Sequence, residues 1–298
     1  MSIAGNWFPD PPTAPGHHLL SSCVAEVLDG FTVRRLQQVG VSDSFRCLVI
    51  GTGTDAIAGW LAGQMGVDGV LVVTDSDPSR VPAHPGVTVL RQDLAIDPLV
   101  EGQFDLIHVR AAIAYLPGRK EMLTKLSAAL APGGAIGFDE LEPGGDRCLV
   151  DSPDPAGRSL FDRYHYALAT VLERTGLDPQ RRPIHQAMCE IGLVDVDTEV
   201  WARSWRGGEP GCLLLRTLAG QLRRQLAAAG MSGAEVDEFR RLLMDPRLVI
   251  RSCLAVSTIG RKPLPAAVER WRRRQPYGGS PFLGRESRSP RRPYRSRP

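Results

Sequence analysis

The sequence predicts an α/β fold with a mostly parallel, seven-stranded sheet, helices on both faces, an antiparallel last strand and a helical cap. Three observations support this prediction. Short apolar runs alternate with segments of helical periodicity between residues 46 and 140. A glycine turn directly follows the first apolar run. The chain has 298 residues, of which 43% are hydrophobic and 23% charged, and this length and composition are typical of one globular domain.

The first half of the chain supplies most of the predicted sheet. Leucines and valines recur at spacings of three and four between His17 and Val39, which predicts a helix. Strands are expected near 46–51, 69–75, 87–93, 104–109 and 135–140, and helices near 55–65 and 119–130. APGG at 131–134 predicts the end of that second helix. Such an alternation implies right-handed crossovers and a parallel sheet.

Beyond Glu142 the pattern changes to helices with two further strands. EPGGDRCLVDSPDPAG predicts a loop, and the two remaining strands are expected at 194–203 and 248–263. Helices are expected near 159–175, 183–191, 213–229 and 234–244. Ser232 is a candidate cap for the last of these, because Glu235 follows three residues later. Two strands separated by helices favour an antiparallel final strand beneath a helical cap.

The cysteines and the lack of long apolar runs predict a cytoplasmic protein. Six scattered cysteines with no CxxC pair predict buried free thiols in a reducing cytoplasm, with no metal site. No run approaches the ~20 apolar residues of a membrane span, and the first residues lack a signal sequence.

The positive charge is concentrated at the end of the chain. From Arg261 to Pro298 the net charge is +10, against +3 for the whole chain, so residues 1–260 are acidic.

These features divide the chain into four segments. We expect an N-terminal segment with a cap helix over 1–45, a cofactor-binding core over 46–142, and the rest of the sheet with cap insertions over 143–262. The Pro-, Ser- and Arg-rich remainder, 263–298, is predicted to be a disordered basic tail. Nucleic acid is an unexpected partner for a chain whose only basic segment is this tail.

Candidate ligand-binding residues lie where the predicted strands end. Gly51, Thr52 and Gly53 follow the first strand, and glycine there lets the backbone approach a ligand closely. Asp75 ends the second strand and is suited to two ribose hydroxyls, and Asp93 ends the third and could receive an adenine amino group. The carboxyl ends of parallel strands share one edge of the sheet, so an adenine cofactor is expected there.

Two classes of cofactor fit this edge. Gly51, Gly53 and Ala56 also satisfy the dinucleotide pattern G-x-G-x-x-G/A, so an NAD(P)-dependent dehydrogenase is one alternative. A long helical segment before the first strand and the capped strand pair at the end of the chain argue against a second mononucleotide-binding half.

Longer stretches carry a family resemblance. CLVIGTGTDAIAGWLA, VLVVTDSDP, VLRQDLAIDPL, FDLIHVRAAIAYLPGRKEMLTKLSAALAPGG and FDELEP resemble class I S-adenosylmethionine-dependent methyltransferases of the actinobacterial specialised-metabolism type, over roughly residues 30–262. The resemblance implies a Rossmann-like methyltransferase fold that binds S-adenosylmethionine or S-adenosylhomocysteine. By position, the site residues and their roles would be Gly51, Thr52 and Gly53 for the methionine end, Asp75 and Ser76 for the ribose, Asp93 and Leu94 for the adenine, and Val109 and Arg110 beside the sulfonium.

Two residues depart from the family pattern. Val49 stands where an acidic residue usually precedes the first glycine by two positions, and Asp55 stands where a small residue is usual. Val49 removes a carboxylate that would attract the cofactor's ammonium group. Asp55 brings a negative charge near the cofactor's carboxylate, although aspartate is also a good helix cap. These departures favour a second hypothesis, a protein of this fold without methyl transfer, such as a cyclase or pericyclase.

Candidate catalytic residues are His108, Tyr115, Asp139 and Glu140, all near the carboxyl edge of the sheet. His108 could equally be a core histidine, and Tyr115 could orient a substrate hydroxyl. In the cap, an aromatic stripe is predicted to be core or to line a pocket, and its members are Phe161, Tyr164, His165, Leu168, Trp201 and Trp205. If it lines a pocket, the substrate is an apolar small molecule such as a polyketide-like metabolite. A homodimer is a possible assembly.

Overall fold

The elements of the fold come from a computed structural model, which describes residues 17–51, 55–75, 81, 86–94, 96–110, 119–142, 148–174, 183–251 and 253–266. For His17–Ser21, Asp55 and Arg119 it describes the backbone alone. The chain divides into two units, Met1–Pro263 and Leu264–Pro298, and the elements below belong to the first. The predicted tail lies almost wholly outside the described residues.

Helices and strands alternate through the first half of the described chain. The strands are β1 Arg46–Ile50, β2 Val70–Asp75, β3 Val87–Arg91, β4 Phe104–Arg110, β5 Leu130–Glu142, β6 Leu149–Asp151, β7 Val194–Trp201, β8 Ser204–Arg206, β9 Val249–Arg251 and β10 Leu254–Arg261. The helices are α1 His17–Val39, α2 Asp55–Gln64, α3 Arg119–Ala128, α4 Pro155–Arg174, α5 Ile184–Glu190, α6 Pro210–Gln221, α7 Arg223–Ala228 and α8 Gly233–Leu242.

Within the described residues, seven strands form the main sheet in the order β3-β2-β1-β4-β5-β10-β7. Neighbouring strands from β3 to β5 are parallel, whereas β10 runs antiparallel to both β5 and β7. One reversed strand therefore lies between two that point the same way. This order confirms the predicted Rossmann-like methyltransferase fold, and it differs from the all-parallel order of dinucleotide-binding sheets.

Both faces of the main sheet are covered, which is why its strands are apolar along nearly their whole length. The C-terminal half of α1 and all of α2 cover one face, where they bury Leu36, Val49, Ile57, Leu61, Val73 and Leu106. Helices α3 and α5 cover the other face, where they bury Ile50, Ile107, Val109, Leu123, Phe138 and Met188. Successive residues of a strand point to opposite faces, so each strand contributes to both cores.

The cap has its own hydrophobic core. Helices α4, α6, α7 and α8 enclose it with the first half of α1 and a second, described three-stranded sheet, β6-β9-β8. The large buried side chains of this core include Phe31, Phe161, Tyr164, Trp205 and Phe239. Helix α1 thus packs against the cap with one half and against the main sheet with the other.

Three sequence-based predictions were wrong in the cap. The predicted loop after Glu142 contains β6, a strand too short to show any periodicity. The helix predicted at 213–229 is divided at Leu222, whose ψ of 8° is not helical. The strand predicted at 248–263 is two strands, because β9 pairs in the cap sheet and β10 in the main sheet.

Strand β5 is longer than the predicted 135–140, because α3 already ends at Ala128 and the APGG segment, 131–134, lies inside the strand. Leu130 already pairs with Phe104, and the register shifts before Ala135. A Cβ on Gly134 would lie 2.8 Å from the carbonyl oxygen of Phe104, so glycine is required by the close approach of β4. Here the glycines accommodate an irregularity inside a strand.

The predicted cap of α8 is confirmed. Ser232 caps α8 in a capping box: its side chain accepts a hydrogen bond from Glu235 N at 3.3 Å, and its own N donates to Glu235 Oε2 at 2.7 Å. All six cysteines lie in described residues as free thiols, although Cys189 is exposed. Among the helices of the described chain, none combines the length and apolar character needed to cross a membrane.

Candidate functional site

The carboxyl ends of four adjacent parallel strands bring most of the predicted cofactor-binding residues to one edge. Gly51 directly follows β1, Asp75 ends β2, Asp93 lies just beyond β3, and Arg110 ends β4. The strand order places β1 between β2 and β4, so its glycine turn lies at the centre of this edge. This is where ligands of open α/β sheets bind.

Gly51 makes the turn that leaves β1. Its φ is +68°, in the left-handed region that favours glycine. Its N donates to the carbonyl oxygen of Thr74 at 3.1 Å, so the turn is held against the end of β2. Thr52 and Gly53 lie outside the described residues, as does the side chain of Asp55.

Asp75 is the carboxylate that ends β2. It is buried, with 8% of its surface exposed, and its carbonyl oxygen accepts a hydrogen bond from Gln92 N at 2.9 Å. The strand ends of β2 and β3 are therefore tied together. Ser76, predicted beside it, lies outside the described residues.

Asp93 and Leu94 form a turn beyond β3. Asp93 N donates to Asp97 Oδ2 at 2.7 Å, and the Asp93 carbonyl oxygen accepts from Ile96 N at 3.1 Å. Leu94 is half-buried against the core shared with α3. The turn therefore holds Asp93 in a defined conformation at the edge.

Gln92, directly before this turn, was missed by the sequence-based prediction. Its Nε2 donates to the carbonyl oxygen of Pro98 at 2.6 Å, while its buried Oε1 has no hydrogen-bond partner within the part of the chain that is described. Buried acceptors normally have a partner, so Gln92 Oε1 is a candidate acceptor for a ligand donor. Its position next to Asp93, at the end of a strand, is the sequence signal that could have identified it.

Val109 and Arg110, predicted beside the sulfonium, point to opposite faces of the sheet. Val109 is buried against α3 and α5. Arg110 reaches α1, where its Nη2 lies 2.5 Å from Asp29 Oδ1. The Arg110 side chain is 2% exposed and that of Asp29 20%.

Asp29 was also missed, because the periodicity of α1 was evaluated only for apolar residues. Burial raises the pKa of the Asp29 carboxyl, and the charge and hydrogen bond of Arg110 offset part of this increase. The result is a carboxyl group that binds a proton more readily than an ordinary aspartate, at the carboxyl end of β4.

Two of the predicted catalytic residues, His108 and Asp139, meet in a buried polar network. His108 Nε2 and Asp139 Oδ2 are 3.0 Å apart, and Thr32 Oγ1 donates to the same carboxylate oxygen at 2.5 Å. His108 is 1% exposed and Asp139 2%, beneath α1. His108 Nδ1 has no hydrogen-bond partner among the described residues.

The Asp139 carboxylate is held in its charged form. Burial by itself raises its pKa, but the hydrogen bond and charge of His108, followed by the Ser257 and Thr32 hydroxyls, lower that pKa to about 2. With Asp139 ionised at neutral pH, Nε2 of His108 carries the proton of their hydrogen bond. The network connects α1 to two strands, β4 and β5, and Ser257 of β10 lies opposite Asp139 in the register of the sheet.

Glu140 does not share a face of the sheet with this network. Glu140 is buried on the opposite face of β5 from Asp139, beside Val256 of β10. Tyr115 lies outside the described residues. Of the four predicted catalytic side chains, two therefore meet, one lies on the other face and one has no described position.

The aromatic stripe of α4 lies in the cap core. Phe161 and Tyr164 are fully buried, and Tyr164 stacks on Phe239 with ring centroids 4.0 Å apart. Burial raises the pKa of Tyr164, and the nearby thiols of Cys253 and Cys148 raise it further. Trp201, half-buried at the end of β7, stacks on Phe31 of α1.

One open cavity of about 450 Å³ lies on the outer side of the cap. Its lining comes from α4 and from the turn between α7 and α8, and comprises Asp162, Arg163, Tyr166, Ala167, Ala229, Gly230 and Met231. None of the predicted site residues lines it. Over the described residues, no group of three or more His, Cys, Asp or Glu side chains could hold a metal ion.

Comparison with known proteins gives one related sequence. No family model matches the chain. Methyltransferase str3 of Strobilurus tenacellus is 30% identical over 123 residues, which are 40% of this chain and 42% of that protein. The chain thus matches less than half of this curated relative.

Several solved structures are similar in outline. Protein BH2331 of Bacillus halodurans C-125 is 12% identical, with a TM-score of 0.49 over 78% of this chain and 98% of its own. Phosphoethanolamine N-methyltransferase 2 of Haemonchus contortus, solved with S-adenosyl-L-methionine, is 13% identical, with a TM-score of 0.45 over 78% of this chain and 52% of its own. The [4+2]-cyclase SpnF is 15% identical, with a TM-score of 0.42 over 88% of each chain. At these identities the strand order remains the evidence for the fold.

Proposed function

We propose that the protein is an S-adenosylmethionine-dependent methyltransferase that acts on an apolar small molecule, of the kind made in specialised metabolism. One observation carries the proposal: Gly51, Asp75 and Asp93 lie at the carboxyl ends of three adjacent parallel strands, in a sheet with one reversed strand. A glycine turn and two carboxylates at such an edge match the charged and hydroxyl groups of this cofactor.

The described residues fit the cofactor in two further respects. The buried Oε1 of Gln92 has no partner within the described chain, and it is an acceptor near the position proposed for the adenine amino group. Gly51 has a left-handed backbone conformation that turns the chain at the end of β1, where the methionine end of the cofactor would bind. Asp75 would accept hydrogen bonds from the ribose, while Asp93 and Leu94 would hold the adenine.

Methyl transfer from this cofactor requires little chemical catalysis from the protein's side chains. S-adenosylmethionine supplies a methyl group already activated by a sulfonium. The side chains therefore act mainly by orienting the acceptor and excluding water. Apolar side chains lie between cap and sheet, where Trp201 stacks on Phe31, and an apolar acceptor is the kind of substrate that such surroundings favour.

Binding of the cofactor can be measured by calorimetry with S-adenosylmethionine, S-adenosylhomocysteine and NAD⁺. Asp75→Ala should weaken binding of the first two by roughly 2–4 kcal/mol, since each hydrogen bond to a charged group contributes about 1.5–3 kcal/mol. Asp105→Ala is the matched control, because Asp105 lies in the same sheet at its amino end and accepts a hydrogen bond from Arg46 N. Equal losses in both variants, or binding of NAD⁺ alone, would refute the proposal.

One observation favours a second function, a cyclase or other protein of this fold without methyl transfer. Val49 occupies the position at which related sequences carry an acidic residue, and it is 1% exposed in the core beneath α1 and α2. The site therefore has no carboxylate at this position for the cofactor's ammonium group. Weak binding of S-adenosylmethionine, together with no methyl transfer to hydroxylated or aminated test acceptors, would favour this alternative.

A further inference from the structure

Asp29 is a half-buried carboxylate that the cofactor contacts proposed above do not use. It lies on α1, next to the last residue of β4, and pairs with Arg110 at 2.5 Å. The proposed cofactor residues end β1, β2 and β3, and β4 is the next strand along the same edge. Asp29 therefore lies beside the region assigned to the sulfonium and the methyl acceptor.

Its exposure distinguishes Asp29 from the next polar residues along the same side of α1. Thr32 is fully buried against Asp139, and Arg35 is 5% exposed and paired with Asp197 of β7. These two residues serve to attach the helix to the sheet. The Asp29 side chain keeps 20% of its surface accessible, whereas the Oδ1 that faces Arg110 is buried, so a small molecule would contact the carboxylate at Oδ2.

The charges around Asp29 are defined by the packing of α1. Charged side chains on the elements that pack against α1 include Arg110 of β4, Asp139 of β5 and Arg216 of α6. Of these, Arg110 alters the pKa of Asp29, by lowering it, while burial raises the pKa more strongly. The carboxylate is thus positioned by an arginine and more basic than an exposed aspartate.

We propose, on the basis of the proposed function, that Asp29 accepts the proton of a hydroxyl-bearing apolar methyl acceptor. The acceptor oxygen forms a bond to the methyl carbon, and the electron pair of the broken carbon–sulfur bond stays on sulfur. The hydroxyl proton passes to the Asp29 carboxylate and later leaves to solvent through its exposed side. Arg110 holds the carboxylate in place throughout.

The pairing with Arg110 favours a hydroxyl over an amine. Arg110 already balances the negative charge of Asp29, so a cationic ammonium group would gain little attraction and would face a like charge. A neutral hydroxyl can donate a hydrogen bond to the carboxylate without that repulsion.

The test uses 2-naphthol, an apolar aromatic alcohol whose fluorescence differs between its neutral and ionised forms, and its methyl ether, which has no proton to donate. With the S-adenosylhomocysteine-loaded protein, 2-naphthol should bind about tenfold more tightly than the ether, because only the alcohol donates to a charged acceptor. Emission of the ionised form should accompany binding. Both signals should be lost on acidification, at a higher pH than for an ordinary aspartate.

The variants separate proton acceptance from stability. Asp29→Asn removes the carboxylate charge that pairs with the buried Arg110, so the double variant Asp29→Asn with Arg110→Gln, in which both charges are removed, is measured beside it. Both should lose the preference for 2-naphthol, and Asp29→Glu should keep it. Glu26→Gln, at an exposed position one turn earlier on α1, is the matched control and should behave as the parent.

The outcomes distinguish this inference from the proposed function. If S-adenosylhomocysteine binds but the protein does not prefer 2-naphthol, or keeps the preference in the double variant, Asp29 is not the proton acceptor. If S-adenosylhomocysteine does not bind, the proposed function itself fails and this inference fails with it.

Discussion

Replacing Asp139 with asparagine should destabilise the protein in a way that depends on pH. The substitution keeps an oxygen that can accept from Thr32 and His108, and it removes the charge. It therefore isolates the contribution of the ionised carboxylate from that of the shape of the network. Asp139 is 2% exposed, so solvent screens this contribution little.

The magnitude follows from the pKa. Asp139 has an ordinary pKa of 3.8, lowered to about 2 in the folded protein. This difference corresponds to about 2 kcal/mol of stability, since one pKa unit is about 1.4 kcal/mol. Because the folded pKa is the lower one, the stabilisation is fully present above pH 4 and is lost as the pH falls through about 2. At pH 3 roughly half should remain.

Urea unfolding monitored by tryptophan fluorescence, at pH 7 and in steps down to pH 3, measures the difference between parent and Asp139→Asn. The difference should be about 2 kcal/mol at pH 7 and shrink by half at pH 3. Thr32→Val, which removes one donor to the same oxygen, should show a coupling of about 1 kcal/mol with Asp139→Asn. Asp105→Asn is the control, because this carboxylate is only half-buried.

Two results would refute the reasoning. Equal unfolding free energies at pH 7 would mean that burial cancels the hydrogen bonds and that the pKa of Asp139 is not lowered. A difference that stays constant down to pH 3 would mean that the substitution acts through packing and not through charge.

Two further predictions concern stability. Val49→Glu places a carboxylate in the core beneath α1 and α2 and should lower the unfolding free energy by roughly 3–5 kcal/mol, the range for an uncompensated buried charge. Val49→Ile should lower it by less than about 1.5 kcal/mol. Unfolding at pH 7 measures both variants, and a stable glutamate variant would show that this position can hold a cofactor-facing acid. Ser232→Ala removes the side-chain cap of α8 and should lower the unfolding free energy by about 1 kcal/mol, while Ser232→Asp should keep the cap and the parent stability. Identical melting curves for the alanine variant and the parent would mean that the capping box contributes nothing to stability.

Local sequence signals were sufficient for the part of the fold that carries the proposed cofactor site. Buried strands such as β1 and β4 are continuous apolar runs, and α1 was predicted to begin and end at His17 and Val39, where the structure places it. The capping box at Ser232 likewise depends on residues three positions apart. Each of these features depends on residues that are close to it in the sequence, so no knowledge of distant contacts was needed.

What the sequence could not predict depends on pairing between distant segments. Strand β6 has three residues and exists because β9, far along the chain, pairs with it. The pair Asp29 and Arg110 forms only when α1 lies across β4. No periodicity indicates such contacts, because tertiary structure decides them. The roles predicted for Thr52, Gly53, Ser76 and Tyr115 concern positions outside the described residues and stay predictions.

The reversed strand β10 also determines when during synthesis the sheet can be completed. It pairs with β5 on one side and β7 on the other, yet both of these are made before it. Until Leu254–Arg261 leaves the ribosome, β5 and β7 each have an unpaired edge, and such edges recruit other chains. A chain that ends before residue 254 should therefore aggregate instead of forming a smaller soluble sheet, and completion of the fold waits for pairings of high sequence separation, which are slow to form.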